Sequence, residues 1–230
     1  MQKLKYKFHR IKPWMIFILL GAGVLLLTAA NRPYDFDVAR LHYEGGGDWY
    51  NGPSEIPNLM DFLHQHAQLN VPDNEIRVKL TDPELFTHPF LFMTGHGNIH
   101  LSDDEIRILR QYLTTGGFLF ANDDYGMDKP FRREMKKVFP DKDFVELPFD
   151  HPIYHIKYEF PDGPPKIHKH NGKPPQGFGL FHNGRLIVYY DYEADIADGW
   201  DDPDVHHDPP EKRQEALKMG TNIVLYVLTH

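Results

Sequence analysis

Residues 88–126 read HPFLFMTGHGNIHLSDDEIRILRQYLTTGGFLFANDDYG. Two runs in this stretch, PFLFMT (89–94) and FLFA (118–121), are continuous rather than alternating in hydrophobicity. That is the pattern of strands buried on both faces. Between them, Ser102-Asp103-Asp104-Glu105 has the form of a capping box and predicts the start of a helix. Ile106, Leu109, Arg110 and Leu113 continue that helix, and Gly116-Gly117 ends it. Strand, helix and strand in this order predict a right-handed crossover between adjacent parallel strands. Strands covered on both faces require helices on both sides, so the fold class is α/β.

The same alternation extends outward in both directions. Phe36–Tyr43 reads as a strand that runs into a glycine-rich loop, Glu44–Gly52. Ser54 is placed to cap a helix over 55–69, with Ile56, Leu59, Met60 and Leu63 at helical spacing. Ile76–Leu80 is a short strand, and Asp82-Pro83 opens a helical turn. Downstream, a helix over 130–138 precedes a strand at Phe144–Leu147. Phe178–His182 and Arg185–Asp191 flank Asn183-Gly184, a strong hairpin signal. Residues 161–176 hold five prolines without periodicity and read as an excursion. Acidic, proline-broken sequence covers 195–210, and Glu211–Leu228 closes the chain as a helix. The expectation is one domain over 35–230 with a mostly parallel sheet and an antiparallel hairpin.

Composition narrows the function classes. The 230 residues contain no cysteine, which excludes disulfides, thiolate metal ligands and a cysteine nucleophile. The net charge is −8, yet Lys3, Lys5, Lys7, Arg10 and Lys12 are the only charged residues before position 31. The body is therefore more acidic than the whole, which argues against nucleic acid as a partner. Residues 1–13 form a basic segment. Residues 14–30, WMIFILLGAGVLLLTAA, are uncharged and would span roughly 26 Å as a helix. The preceding bases predict a transmembrane helix with residues 31–230 on the extracytoplasmic side. A signal peptide shares this pattern, and cleavage after Ala30 would release the body into the periplasm.

Ligands of open α/β sheets bind beyond the carboxyl ends of the strands. Three loops leave those ends. The first carries Glu44, Gly45, Gly46, Gly47, Asp48 and Trp49, the second His96 between two glycines, and the third Asp123, Asp124 and Tyr125. The triple glycine suits a tight turn or close approach of a ligand; its spacing is not that of a phosphate loop. His96 suits a general base, a metal ligand or a loop tether. Asp123 and Asp124 could ligate a divalent cation or fix the His96 tautomer. Trp49 and Tyr125 suit stacking on a flat ligand or packing in the core, and Arg132 a carboxylate clamp or a partner for Asp123. The five polar residues Glu44, Asp48, His96, Asp123 and Asp124 are expected to converge on one pocket. His151 and His155 follow a strand end and are further candidates to reach it. His168 and His170 sit in the proline excursion. The run from Asp201 to Asp208, with His206 and His207, holds enough ligands for a hard or borderline cation, but its spacing matches neither an EF-hand nor an HExxH zinc helix, and it reads as a solvated acidic loop.

The ordered motifs ARLHYEGGGDWY (39–50), HPFLFMTGHG (88–97), LSDDEIRILRQYLTTGGFLFANDD (101–124), FRREMKKVFP (131–140), DHPIY (150–154), NGRLIVYY (183–190) and GTNIVLYVL (220–228) resemble the bacterial DUF4159 family, a domain of unknown function. The resemblance covers nearly the whole body. It implies a divergent member of the class I glutamine amidotransferase-like superfamily, with a flavodoxin-like three-layer α/β/α sandwich. Amidotransferases place a cysteine on the turn after such a strand; the matching turn here, Ala121–Gly126, has none. Hydrolysis of glutamine through a thioester is thereby excluded, and the fold does not carry the function across.

Three function classes stay open. One is a ligand-binding or accessory domain displayed outside the cytoplasmic membrane. Another is a hydrolase in which His96 and Asp123 or Asp124 act with a divalent cation on water. The third is a structural partner within an envelope protein complex, tethered by the N-terminal helix. A reporter active only in the cytoplasm, fused after His230, is expected to be silent, whereas a periplasmic reporter at the same place is expected to be active; cytoplasmic activity overturns the topology.

Overall fold

The hairpin that the sequence marks at Asn183-Gly184 forms one wing of a seven-stranded sheet. In chain order the strands are β1 (Val38–Leu41), β2 (Ile76–Val78), β3 (Phe90–Met93), β4 (Phe118–Ala121), β5 (Val145–Glu146), β6 (Phe178–His182) and β7 (Arg185–Tyr190). The longer helices are α1 (Glu55–Ala67), α2 (Asp103–Thr114), α3 (Asp128–Val138) and α5 (Pro210–Thr229); α4 (Pro203–His206) is a single turn. This computed structural model describes residues 34–230, and residues 36–230 form one compact unit. The segments expected as cytoplasmic, 1–13, and as membrane-spanning or signal, 14–30, lie outside the described residues. Among those described, no helix is long and apolar enough to cross a membrane.

The strand order is β2-β1-β3-β4-β7-β6-β5. Strands β2, β1, β3, β4 and β7 are mutually parallel; β6 is added antiparallel to β7, and β5 antiparallel to β6. The crossover expected from residues 89–121 is present: Phe90 pairs with Phe118 and Met93 with Ala121, in parallel. Helix α2 joins them, and its capping box is closed in both directions. Ser102 Oγ accepts from the Glu105 N–H, and Glu105 Oε2 accepts from the Ser102 N–H at 2.8 Å.

Alternate strand residues serve opposite faces, as the pleat requires. On one face Phe90, Phe92, Phe118 and Phe120 pack with Leu59 and Leu63 of α1, with Trp200, and with Met219 and Ile223 of α5. On the other, Leu91, Met93 and Leu119 pack with Leu109 and Leu113 of α2 and with Phe131 and Met135 of α3. The protein is thus an α/β sandwich with helices on both faces of a mostly parallel sheet.

Two local expectations differ from the structure. Ser54 does not cap α1. Its hydroxyl instead donates to Asp201 Oδ1 and accepts from the Asp202 N–H, because the segment after β7 folds against the start of α1. The strand expected at Phe144–Leu147 shrinks to Val145–Glu146, a sheet edge exposed on both residues and paired only with β6.

A charged residue sits inside the sheet, on the strand next to its β2 edge. Arg40 on β1 is fully buried, with Phe92 against its guanidinium. It donates to Glu55 Oε2 at 3.0 Å, Glu75 Oε2 at 2.7 Å, and the carbonyls of Asn51 and Gly52 at 2.7 and 2.8 Å. One side chain therefore joins β1, the glycine-rich loop, the first turn of α1 and the approach to β2. Arg40→Met leaves the Glu55 carboxylate buried without its cation, and is expected to cost about 3–5 kcal/mol; urea unfolding monitored by far-UV circular dichroism checks this.

Candidate functional site

Because β1, β3, β4 and β7 are parallel, their carboxyl ends open at one edge of the sheet. Arg40 holds the loop after β1 by its carbonyls, so that Asn51 Nδ2 donates to Asp124 Oδ2 at 3.0 Å in the loop after β4. The triple glycine has a different task. Gly45 has φ +120°, and a Cβ on it would stand 2.6 Å from the His100 nitrogen. The glycines let this loop lie flat on the loop after β3, where the Gly47 N–H donates to the Asn98 carbonyl at 2.9 Å. His96 is half-exposed between two carboxylates. Its Nδ1 is 3.2 Å from Asp48 Oδ2 and its Nε2 3.0 Å from Asp124 Oδ1.

The loop after β7 is folded back by buried polar groups. Asp191 Oδ1 accepts from the Asp123 N–H at 2.7 Å, and its Oδ2 from the Ile196 N–H at 2.9 Å. Asn122 Oδ1 accepts from the Ala197 N–H, and its Nδ2 donates to Asp195 Oδ1, both at 2.8 Å. These bonds set Asp195 and Asp198 beside Asp124, with one oxygen of each within 4.8 Å of the others. The proline excursion is pinned to the same loop by the Ile167 N–H, which donates to the Ala194 carbonyl at 2.8 Å. That contact delivers His168 and His170. His168 Nδ1 lies 2.9 Å from Asp198 Oδ2 and 3.1 Å from Asp195 Oδ2, and its Nε2 is 3.1 Å from Asp208 Oδ2. His170 Nε2 is 2.9 Å from Asp195 Oδ2. His206, from α4, places Nε2 3.2 Å from Asp201 Oδ2 and 3.6 Å from Asp198 Oδ2. One ligand atom each from His168, Asp198 and His206 also falls within 4.8 Å.

Of the residues singled out in the sequence, the structure brings Asp48, His96 and Asp124 together at this centre. Asp123 is next to it, but its oxygens accept from the Tyr190 hydroxyl and the Glu193 N–H, with His170 Nδ1 3.9 Å away. Glu44 points elsewhere: its side chain is 67% exposed and 3.7 Å from Lys79 Nζ. Trp49 stacks on His42 at 4.0 Å. Arg132 pairs with Asp128 at 2.6 Å, among the rings of Phe144, Phe178, Tyr190 and Tyr192. Tyr125 is exposed and meets His170 edge-on. With His170, Asp123, Lys129, Lys173 and Tyr192 it lines a cavity of about 490 Å³ next to the centre. His151 and His155 pack with Tyr226 and Glu159 instead.

Sequence reasoning does not single out Asp195 or Asp198, and it names His168, His170 and His206 without bringing them to the site. The run 201–208 reads as a solvated loop in the sequence, whereas Asp201 is buried against Ser54 and His206. The acidic run after the buried run Leu186–Tyr190 was the available signal, since it too follows a strand end.

Crowded carboxylates shift one another. Burial pushes Asp198 up to about 7, and burial with Asp195 nearby raises Asp124. Burial also opposes ionisation of Asp195, but hydrogen bonds from His168 and His170 hold it below the usual carboxylate range. Hydrogen bonds to Asp195 and Asp198 lift His168 to about 11. Burial opposes the same change at His170, yet hydrogen bonds to Asp123 and Asp195 raise it to about 10. Where no cation is bound, protonated His168 and His170 supply the positive charge that the buried carboxylates need; a cation ligated by His168 would displace its proton and take over that charge.

The chain belongs to the family described as domain of unknown function DUF4159, whose model matches residues 37–228. No curated protein matches it. Among solved structures it is similar to the exo-beta-1,4-mannosidase Op5Man5 from Opitutaceae bacterium strain TAV5. That likeness has 14% identity and a TM-score of 0.38, and covers 94% of this chain and 40% of that one. This chain thus spans less than half the length of that protein.

Asn122 is the hinge of the polar framework, bonded to both Asp195 and the Ala197 N–H. Asn122→Leu leaves Asp195 Oδ1 and the Ala197 N–H without this partner in the interior and is expected to destabilise the fold by about 2–6 kcal/mol, at about 1–3 kcal/mol per buried group left unpaired; the shift in the urea midpoint measures it.

Proposed function

We propose that this DUF4159 member binds a divalent cation through Asp198, His168 and His206, and uses it to activate water in a hydrolytic reaction. The observation that carries this reading is Asp198. It is 5% exposed, and its Oδ1 has no hydrogen-bond partner among the described residues. Its other oxygen faces the two imidazoles. A buried carboxylate oxygen left unpaired is costly unless something unaccounted for satisfies it.

The surroundings fit an ion. With Nδ1 of His168 toward Asp198, its Nε2 rests against Asp208, the carboxylate–imidazole–metal arrangement that fixes a tautomer. Asp201 stands beside His206. Two nitrogens and one oxygen favour a borderline cation such as zinc, and the carboxylate oxygen also admits the harder manganese. Three protein ligands leave a position for water, whose pKa the ion lowers. His168 and His206 are each about one-quarter exposed, so solvent and substrate have access. In this reading His96, held by Asp48 and Asp124, serves in acid–base chemistry.

Two further parts of the proposal rest on other grounds. The strand order β2-β1-β3-β4-β7 supports a flavodoxin-like architecture, which is doubly wound in that sense. The five bases before the apolar run 14–30 support an extracytoplasmic body held at the membrane or released by cleavage.

Purified full-length protein, equilibrated with zinc or manganese and freed of excess ion, is expected to retain metal. His168→Ala is expected to weaken retention at least tenfold with the circular dichroism spectrum unchanged. Equal retention by the two proteins, or none by either, overturns the proposal.

A further inference from the structure

We propose that the centre is binuclear, with a second divalent cation held by Asp124 and Asp195 and sharing Asp198 with the first. This rests on the reading of the first ion given above. The geometry supplies two groups of three ligand atoms, His168 with Asp198 and His206, and Asp124 with Asp195 and Asp198. In each, the ligand atoms lie within 4.8 Å of one another. Ligands about 2.0–2.6 Å from one ion are separated by at most about 4–5 Å, so each group is the right size for one cation.

Asp198 is the only residue common to both groups. Its Oδ2 lies 2.9 Å from His168 Nδ1, while its Oδ1 is buried and unpartnered among the described residues. A carboxylate has two oxygens and can give one to each of two ions about 3.5–4 Å apart.

The remaining two carboxylates are oriented from behind, as metal ligands usually are. Asn51 and His96 fix Asp124, and Asn122 and His170 fix Asp195. Such double anchoring keeps three like charges in proximity against their repulsion. The two positions also differ in chemistry. The first offers two imidazoles, whereas the second offers only carboxylate oxygens. The second therefore prefers a hard cation, magnesium or manganese, and manganese suits both.

Manganese distinguishes the outcomes because two bridged Mn(II) ions give an exchange-coupled electron paramagnetic resonance spectrum. Full-length protein titrated with Mn(II) is expected to bind two equivalents and show that coupled signal. Asp124→Asn, which preserves shape and removes one charge, is expected to bind one equivalent with an uncoupled six-line spectrum. Its circular dichroism and urea midpoint report whether it is folded. One equivalent in the wild type, sensitive to His168→Ala but not to Asp124→Asn, overturns the second site and leaves the first. No binding at all overturns both. Two uncoupled equivalents overturn the shared Asp198.

Discussion

Everything at the functional edge depends on β7 lying parallel to β4, in the register Leu119–Val188, Phe120–Tyr189 and Ala121–Tyr190. Parallel pairing makes the chain leave β7 at the same end of the sheet as it leaves β1, β3 and β4. Asp191 is the next residue, and it spends both carboxylate oxygens on backbone N–H groups, one from each of the two loops. Its burial raises its pKa well above the usual carboxylate range, while those N–H bonds favour the charged form. The loop between Asp191 and Trp200 is consequently a folded extension of the sheet, and the proline excursion packs along it. An antiparallel β7 would send Asp195 and Asp198 to the far edge, away from Asp124.

A second constraint comes from Arg40. A guanidinium inside a sheet is expensive to desolvate, and the protein surrounds it with two carboxylates and two close backbone carbonyls. Glu55 Oε1 still lacks a partner among the described residues, and burial pushes that carboxyl well up. The return on this cost is positional. The loop after β1 is fixed by its own backbone, so Asn51 reaches Asp124 although the two are far apart in sequence.

The site itself works against stability. Asp124, Asp195 and Asp198 are buried and close, and three like charges in a medium of low polarity repel strongly. The neighbouring imidazoles relieve part of this, and the framework of Asn51, Asn122 and Asp191 supplies the rigidity that keeps the carboxylates from separating. Polar groups with no purely structural payoff, held in place by many that have one, mark where the fold was shaped by something other than its own stability.

The sequence by itself determined the local elements. Continuous apolar runs, the Ser102–Glu105 capping box and Asn183-Gly184 are short-range signals, and each depends on residues a few positions apart. They were enough for the α/β class, the β3–α2–β4 crossover, and the loops that carry Asp48, His96 and Asp124. Ser54 shows the limit even locally, since a distant segment took the hydroxyl that would have capped α1. Only the tertiary structure decided that β7 joins β4, that residues 167 and 194 meet, and that His168, His206 and Asp198 share one place. Apart from Asp198 with His206, those pairings span about 27 to 69 residues along the chain, and nothing in the neighbourhood of either partner encodes the other. They follow from burying two apolar faces at once, which is a property of the whole sheet.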